Sequence, residues 1–175
     1  MRSENWNWAI RWLHWLTFWV ALGCVLAVWS HEAFDKGSIL RTQLMQGHFL
    51  LGGLIAVLAV MRLLLRAISS APAHGMSSLN TLLAGLGHGG LYALMFLLPL
   101  SGYVGASGKG LPLDLLGLWQ LPPAPVGREV AHFAKEVHEA LGNIFIGLVG
   151  VHVAAAAYHA IILRDKVLQS MLGRA

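Results

Sequence analysis

The sequence has few charged residues. Only 11% of its 175 residues are charged, whereas 57% are hydrophobic and the mean hydropathy is +0.64. Soluble globular domains typically carry about 25% charged residues, so the composition excludes an ordinary soluble enzyme and indicates a membrane protein. The short length predicts one domain over residues 1–175, a single transmembrane bundle.

Cysteine is nearly absent, since Cys24 is the only one in the sequence. One cysteine excludes a disulfide framework, a Cys-x-x-Cys metal site and the Cys-x-x-Cys-His motif that attaches haem covalently. The His-Glu-x-x-His motif of zinc peptidases is absent as well. Any haem must therefore be held by ligation and packing alone.

A one-sided basic patch is also lacking, although the net charge is +4 and the isoelectric point is about 9.6. The basic residues lie instead at the ends of apolar segments. This distribution argues against nucleic acid as a partner and indicates a topological role for the charges in a membrane.

Four apolar segments are long enough to cross a bilayer, which takes about 20 helical residues. The expected spans are residues 10–30, 47–67, 82–104 and 129–163. The predicted fold class is therefore all-α, a four-helix transmembrane bundle. The connection at 105–128 holds a short apolar patch, which we expect to lie in the membrane interface because it is too short to span.

Four spans place both termini on one side of the membrane. That side then holds seven basic residues and two acids, against five basic residues and six acids on the other side. The positive-inside rule therefore puts both termini in the cytoplasm. The seven basic residues are Arg2, Arg11, Arg62, Arg66, Arg164, Lys166 and Arg174.

Four histidines form two predicted pairs at two depths. His14 and His152 lie toward the cytoplasmic side, and His48 and His138 lie toward the opposite side. His138 and His152 are separated by about 21 Å along one helix and by about 40° around it. Glycines beside these positions leave room for a bulky planar ligand.

A histidine inside a membrane is costly without a partner, and haem iron with two axial imidazoles is such a partner. The pairs therefore predict two haems, one on His14 and His152 and the other on His48 and His138. Six-coordinate iron has no open position, which favours electron transfer over oxygen activation. The alternative for each histidine is a structural hydrogen bond between helices.

Two further histidines have open roles. His88 lies at the level of His14 and His152, where it is a substitute ligand, a propionate partner or a packing residue. His159 lies on the stripe of His152 but nearer the cytoplasmic surface, so it either donates to a quinone carbonyl or faces solvent. No functional role is expected for the remaining three, His31, His74 and His132.

The segments around these histidines resemble the bacterial cytochrome b561 family over nearly the whole chain. The likeness is carried by HWLTFWVALG, GHFLLGGLIAVLAVMRLLLR, GHGGLYALMFLLPLSGYV, VHEALGNIFIGLVGVHVAAAAYH and RDKVLQSML. It implies an inner-membrane cytochrome with two haems b and ligands at His14, His48, His138 and His152. The family includes a superoxide oxidase that reduces ubiquinone, so the resemblance implies superoxide as the donor and ubiquinone as the acceptor.

Capture of superoxide would be helped by positive charge on the periplasmic side. We expect Lys109, in a glycine-flanked loop, and Arg41, seven residues before His48, to supply it, unless both are ordinary interfacial anchors. The family is also similar to the cytochrome b subunits of formate dehydrogenases and nickel–iron hydrogenases. This likeness leaves open a redox or anchor subunit serving a partner protein, and a haem-free scaffold or transporter is the third alternative.

Overall fold

The computed structural model describes residues 5–69 and 78–174, so the predicted loop residue His74 lies outside the described part. Four long helices form a bundle: α1 (Trp8–His31), α2 (Ile39–Ile68), α3 (Ser78–Ala106) and α4 (Arg128–Tyr158). Each is long and apolar enough to cross a membrane. The prediction of an all-α, four-helix transmembrane bundle is confirmed.

The helix α2 begins at Ile39 rather than at residue 47, so the preceding connection is only residues 32–38. Ser38 starts the helix, because its side chain accepts a hydrogen bond from the backbone N–H of Arg41 and so satisfies a donor of the first turn. Hydropathy marks only the apolar part of a helix. The polar first turns of α2 therefore belong to the helix and not to a linker.

The core lies where α1, α2 and α3 meet. It contains Val20 and Cys24 of α1, Ile55, Leu58 and Ala59 of α2, and Met95 of α3. Ala59 is 0% exposed, which shows how closely the helices approach at this small residue. Along α4, by contrast, the most apolar window has no buried residue, so most of its large side chains face outward, as lipid-facing residues do.

The helix α3 continues through Pro99 to Ala106. A proline inside a helix commonly kinks it or marks its end, and here the helix ends seven residues beyond Pro99. Since proline has no N–H, the carbonyl of Met95 one turn earlier lacks its helical donor.

The connection between α3 and α4 contains a 3-10 turn at Ser107–Lys109 and a small antiparallel hairpin, β1 (Leu113–Asp114) with β2 (Gln120–Leu121). The carboxylate of Asp114 accepts a hydrogen bond from the N–H of Gly117 at 2.6 Å, which tightens the turn. Leu118 and Trp119 at its tip are 74% and 67% exposed. Aromatic and apolar side chains of this kind suit the predicted interfacial position.

After α4 the C-terminal residues lie close to the N-terminal residues. A π-helical turn (His159–Leu163) follows α4, Arg164 has a positive φ of 51°, and the short helix α5 (Val167–Leu172) packs near α1. The backbone N–H of Trp6 donates to the carbonyl of Ser170 at 3.4 Å. Both ends of the described chain therefore lie at the same end of the bundle, which we call the terminal end. The opposite end contains residues 32–38 and 107–127, and we call it the hairpin end.

Candidate functional site: two histidine pairs

The structure brings the four predicted ligands together in two pairs. The ring centroids of His48 and His138 are 6.0 Å apart, and those of His14 and His152 are 6.1 Å apart. An iron atom bonded at about 2 Å to one nitrogen of each ring holds the centroids about 6 Å apart. Both pairs therefore have the spacing that a bis-imidazole haem requires.

Backbone carbonyls orient the pair at the hairpin end. The Nδ1 atom of His48 lies 3.0 Å from the carbonyl oxygen of Cys24, and Nδ1 of His138 lies 2.9 Å from that of Leu98. A carbonyl only accepts, so both rings carry their proton on Nδ1. This tautomer leaves Nε2 unprotonated, as ligation of iron through that atom requires.

The helix α3 also forms a close seat for the ring of His138. A Cβ atom added at Gly102 would lie 2.9 Å from Cε1 of this ring, which is closer than real side chains approach. The hydroxyl oxygen of Ser101 lies 3.3 Å from Nδ1 of His138 and donates to the carbonyl of Leu97 at 2.7 Å. The only sequence signal for this seat is a small residue in an apolar span.

A third imidazole accompanies the pair at the terminal end. The centroid of His88 lies 5.4 Å from that of His152, and its Nδ1 lies 2.7 Å from the carbonyl of Ala84. His88 therefore also presents an unprotonated Nε2. Its spacing to His152 is shorter than that of two rings on one iron, so His14 fits better as the second ligand.

A guanidinium group lies beside this pair. Nη2 of Arg62 lies 3.1 Å from Nδ1 of His14, and the guanidinium carbon lies 5.4 Å from the centre of the Tyr92 ring. Arginine only donates, so Nδ1 of His14 accepts here and its proton is on Nε2. Ligation through Nε2 needs the other tautomer, which removes this hydrogen bond.

Glycines give the helices open faces near both pairs. At nine glycines of α2, α3 and α4, an added Cβ would meet no atom within 4 Å. Such positions allow a planar group to approach the backbone. Ring spacing and open faces at both pairs, and the tautomer at the pair of His48 and His138, fit haem b. The nine are Gly47, Gly52, Gly53, Gly85, Gly87, Gly89, Gly142, Gly147 and Gly150.

His159 lies in the π-helical turn after α4, and its Nδ1 is hydrogen-bonded to the carboxylate of Asp165. The side chain of His159 is only 18% exposed, so it does not simply face solvent. The carboxylate accepts from Nδ1, so the ring proton lies on that atom. Nε2, the other polar atom of the ring, points away from the carboxylate. Sequence spacing predicted neither the π-helical turn at His159 nor Asp165 as its partner.

The two expected capture residues have different surroundings. Lys109 lines a surface cleft of about 460 Å³ at the hairpin end, together with Arg128, His132 and Lys135. Arg41 does not line this cleft, because its guanidinium donates to the carbonyl of Phe34 at 2.7 Å in the connection after α1. Of the two, Lys109 is the residue with other basic side chains around it.

Known proteins are similar to this chain over most of its length. Residues 5–174 match the family model described as prokaryotic cytochrome b561. The chain is 28% identical over 169 residues to cytochrome b561 homolog 1 of Escherichia coli (strain K12), covering 93% of each protein. It is 31% identical over 150 residues to cytochrome b561 homolog 2 of the same strain, covering 83% of this chain and 73% of the relative.

Proposed function

This chain belongs to the prokaryotic cytochrome b561 family, so it is a membrane haem b protein of electron transfer, and we propose that it oxidises superoxide and reduces ubiquinone. In this proposal the single domain holds two haems b, which supply one-electron redox chemistry when bound. The observation that carries the proposal is the pair of imidazole spacings, 6.0 and 6.1 Å, at two levels of one bundle.

The ligands proposed are His48 with His138 and His14 with His152. The carbonyls of Cys24 and Leu98 support the first pair, because they hold both rings in the tautomer that binds iron. Support for the second pair comes from its spacing. Two histidines at each site would hold one haem iron and would leave no position for oxygen, which favours electron transfer over oxygen activation.

The terminal end is proposed to face the cytoplasm of the bacterial inner membrane. The support is the excess of basic residues at this end, which the positive-inside rule assigns to the cytoplasm. In that orientation His48 and His138 lie toward the periplasm. Electrons then enter at the hairpin end and leave at the terminal end.

Ubiquinone is proposed to bind beside His159, which lies about 10 Å beyond His152 along the helix. Reduction of a quinone to a quinol takes up two electrons and two protons. The hydrogen bond between His159 and Asp165 supports a role in this proton uptake, because the carboxylate holds the ring in one orientation, with Nε2 as the polar atom left to contact the quinone.

Superoxide is proposed to enter at the cleft lined by Lys109. Three cationic side chains, Lys109, Arg128 and Lys135, line this cleft, and Lys135 also forms an ion pair with Glu139. Positive charge at the cleft raises the rate at which an anion arrives. Arg41 is the second proposed capture residue, at the other connection of the same end. One electron leaves superoxide for the protein, and dioxygen is released.

A redox or anchor subunit that serves a partner protein is the alternative. The exposed apolar side chains at the hairpin end favour it, because a partner would cover Leu118, Trp119 and Phe133, which are 74%, 67% and 66% exposed. In that case the electron donor would be another protein.

An experiment on the purified protein alone distinguishes the two functions. In a stopped-flow experiment, superoxide should rapidly reduce the haem, as followed by its visible absorption. Added ubiquinone should then reoxidise the haem. Slow reduction by superoxide, together with rapid reduction by a co-purified protein, would favour the subunit. A colourless protein would leave only the scaffold or transporter.

A further inference from the structure

Arg62 carries a positive charge into the interior of the bundle. Within the part of the chain that the structure describes, its polar contacts are a hydrogen bond with His14 and the contact with Tyr92, over whose ring the guanidinium lies. Its Nε atom is buried and has no hydrogen-bond partner. Among residues 5–69 and 78–174 no ion pair involves Arg62, although a cation within a membrane normally has an anionic or multiple hydrogen-bonding partner.

Ligation of iron by His14 would remove one acceptor from Arg62. Nε2 of His14 would bind the metal, the proton would move to Nδ1, and Nδ1 could no longer accept from the guanidinium. Tyr92 and the unprotonated Nε2 of His88 are uncharged, so neither balances the positive charge. The same change that prepares the ligand therefore leaves a buried guanidinium in need of an anion.

Among the residues that the structure describes, no comparable charge contacts the rings of the other pair. The groups in contact with the rings of His48 and His138 are two carbonyls, the thiol of Cys24 and the hydroxyl of Ser101, all of them uncharged. The two levels of the bundle thus differ by one positive charge placed directly beside a ligand.

We propose that Arg62 binds a propionate of the haem held by His14 and His152 and raises the reduction potential of that haem above that of the other. The inference rests on the proposed haem positions. A guanidinium and a carboxylate form charge-assisted hydrogen bonds that suit a site away from water. The positive charge stabilises the reduced iron, which bears one charge less than the oxidised iron. Arg62 therefore favours the arrival of each electron at the terminal end.

Redox titration of three variants, followed by visible spectra, tests this proposal. In Arg62→Gln, the ratio of reduced to oxidised haem at a fixed ambient potential should fall by about tenfold or more for one haem and change little for the other. Arg62→Lys keeps the charge and should retain most of the wild-type potential. Lys36→Gln, an exposed cation in the connection before α2 at the hairpin end, is the control and should titrate as wild type.

Resonance Raman spectra examine the propionate itself. Its bending mode should change in Arg62→Gln, and an unchanged mode would overturn the propionate contact even if the potential shifted. Equal potentials in wild type and Arg62→Gln would overturn the electrostatic role, as would loss of a haem from both Arg62→Gln and Arg62→Lys. Failure of the proposed haem arrangement would appear separately, as fewer than two haems per wild-type chain.

Discussion

Gly102 has only a hydrogen atom in place of a side chain, so the ring of His138 packs directly against α3. Any Cβ there would lie 2.9 Å from the ring, so the ring must move away from the carbonyl of Leu98 that orients it. We expect Gly102→Ala to lower stability by about 1–3 kcal/mol through overpacking and to lose the haem of His48 and His138. Haem content by the pyridine haemochrome assay should fall to about half of the wild-type value.

The matched control for Gly102→Ala is Gly23→Ala in α1. There the new Cβ would lie 3.5 Å from Leu51, an ordinary contact, so both haems should be retained. Equal haem content in the two variants would show that the seat in α3 does not hold the ligand.

His159 and Asp165 form the second residue-scale prediction. Either His159→Ala or Asp165→Asn should leave the spectra of both haems intact and slow quinone reduction by about 100-fold or more, because the proton donor is lost or misoriented. The measurement is the rate at which ubiquinone reoxidises the reduced protein. Loss of a haem from His159→Ala would instead identify this histidine as an iron ligand.

At the scale of helices, the sequence predicts the features that depend on periodicity and hydropathy. Helical spacing placed His138 and His152 on one face of α4 at two depths, and the structure brings each close to its expected partner, His48 or His14. Hydropathy does not detect the polar first turns of α2. Strands of two residues are too short to show an alternation of apolar and polar side chains. The contacts of Arg62 with His14 and of Gly102 with His138 join different helices, so no local pattern reports them.

The cleft beside the hairpin gives a prediction at the same scale. Its basic residues come from the end of α3 and the beginning of α4, so the packing of these helices creates the concentrated charge. Lys109→Gln should lower the rate of haem reduction by superoxide by roughly threefold and flatten its dependence on salt. Arg41→Gln should have a smaller effect of the same sign.

The control for the cleft is Lys36→Gln, an exposed cation at the same end that does not line the cleft. It should behave as wild type. A reduction rate that is independent of salt and equal in all of these variants would remove electrostatic capture from the mechanism.

For the whole molecule, the prediction is two haems per chain at independent sites. Replacing His138 by Ala removes one proposed ligand of the hairpin-end pair. It leaves His14 and His152 with their ring centroids 6.1 Å apart. The variant should therefore keep about half of the haem and still show a b-type spectrum. The pyridine haemochrome assay on purified wild type and variant provides the measurement. A wild-type value of one haem per chain would contradict the pairing.

The helix α4 provides one histidine to each pair, and in the proposed haem arrangement this has a consequence for biogenesis. Because α4 is the last of the four long helices to leave the ribosome, neither pair exists while α1, α2 and α3 are being inserted. Haem loading at either level must therefore follow the insertion of α4. A nascent chain arrested before Arg128 should remain colourless even when haem is plentiful.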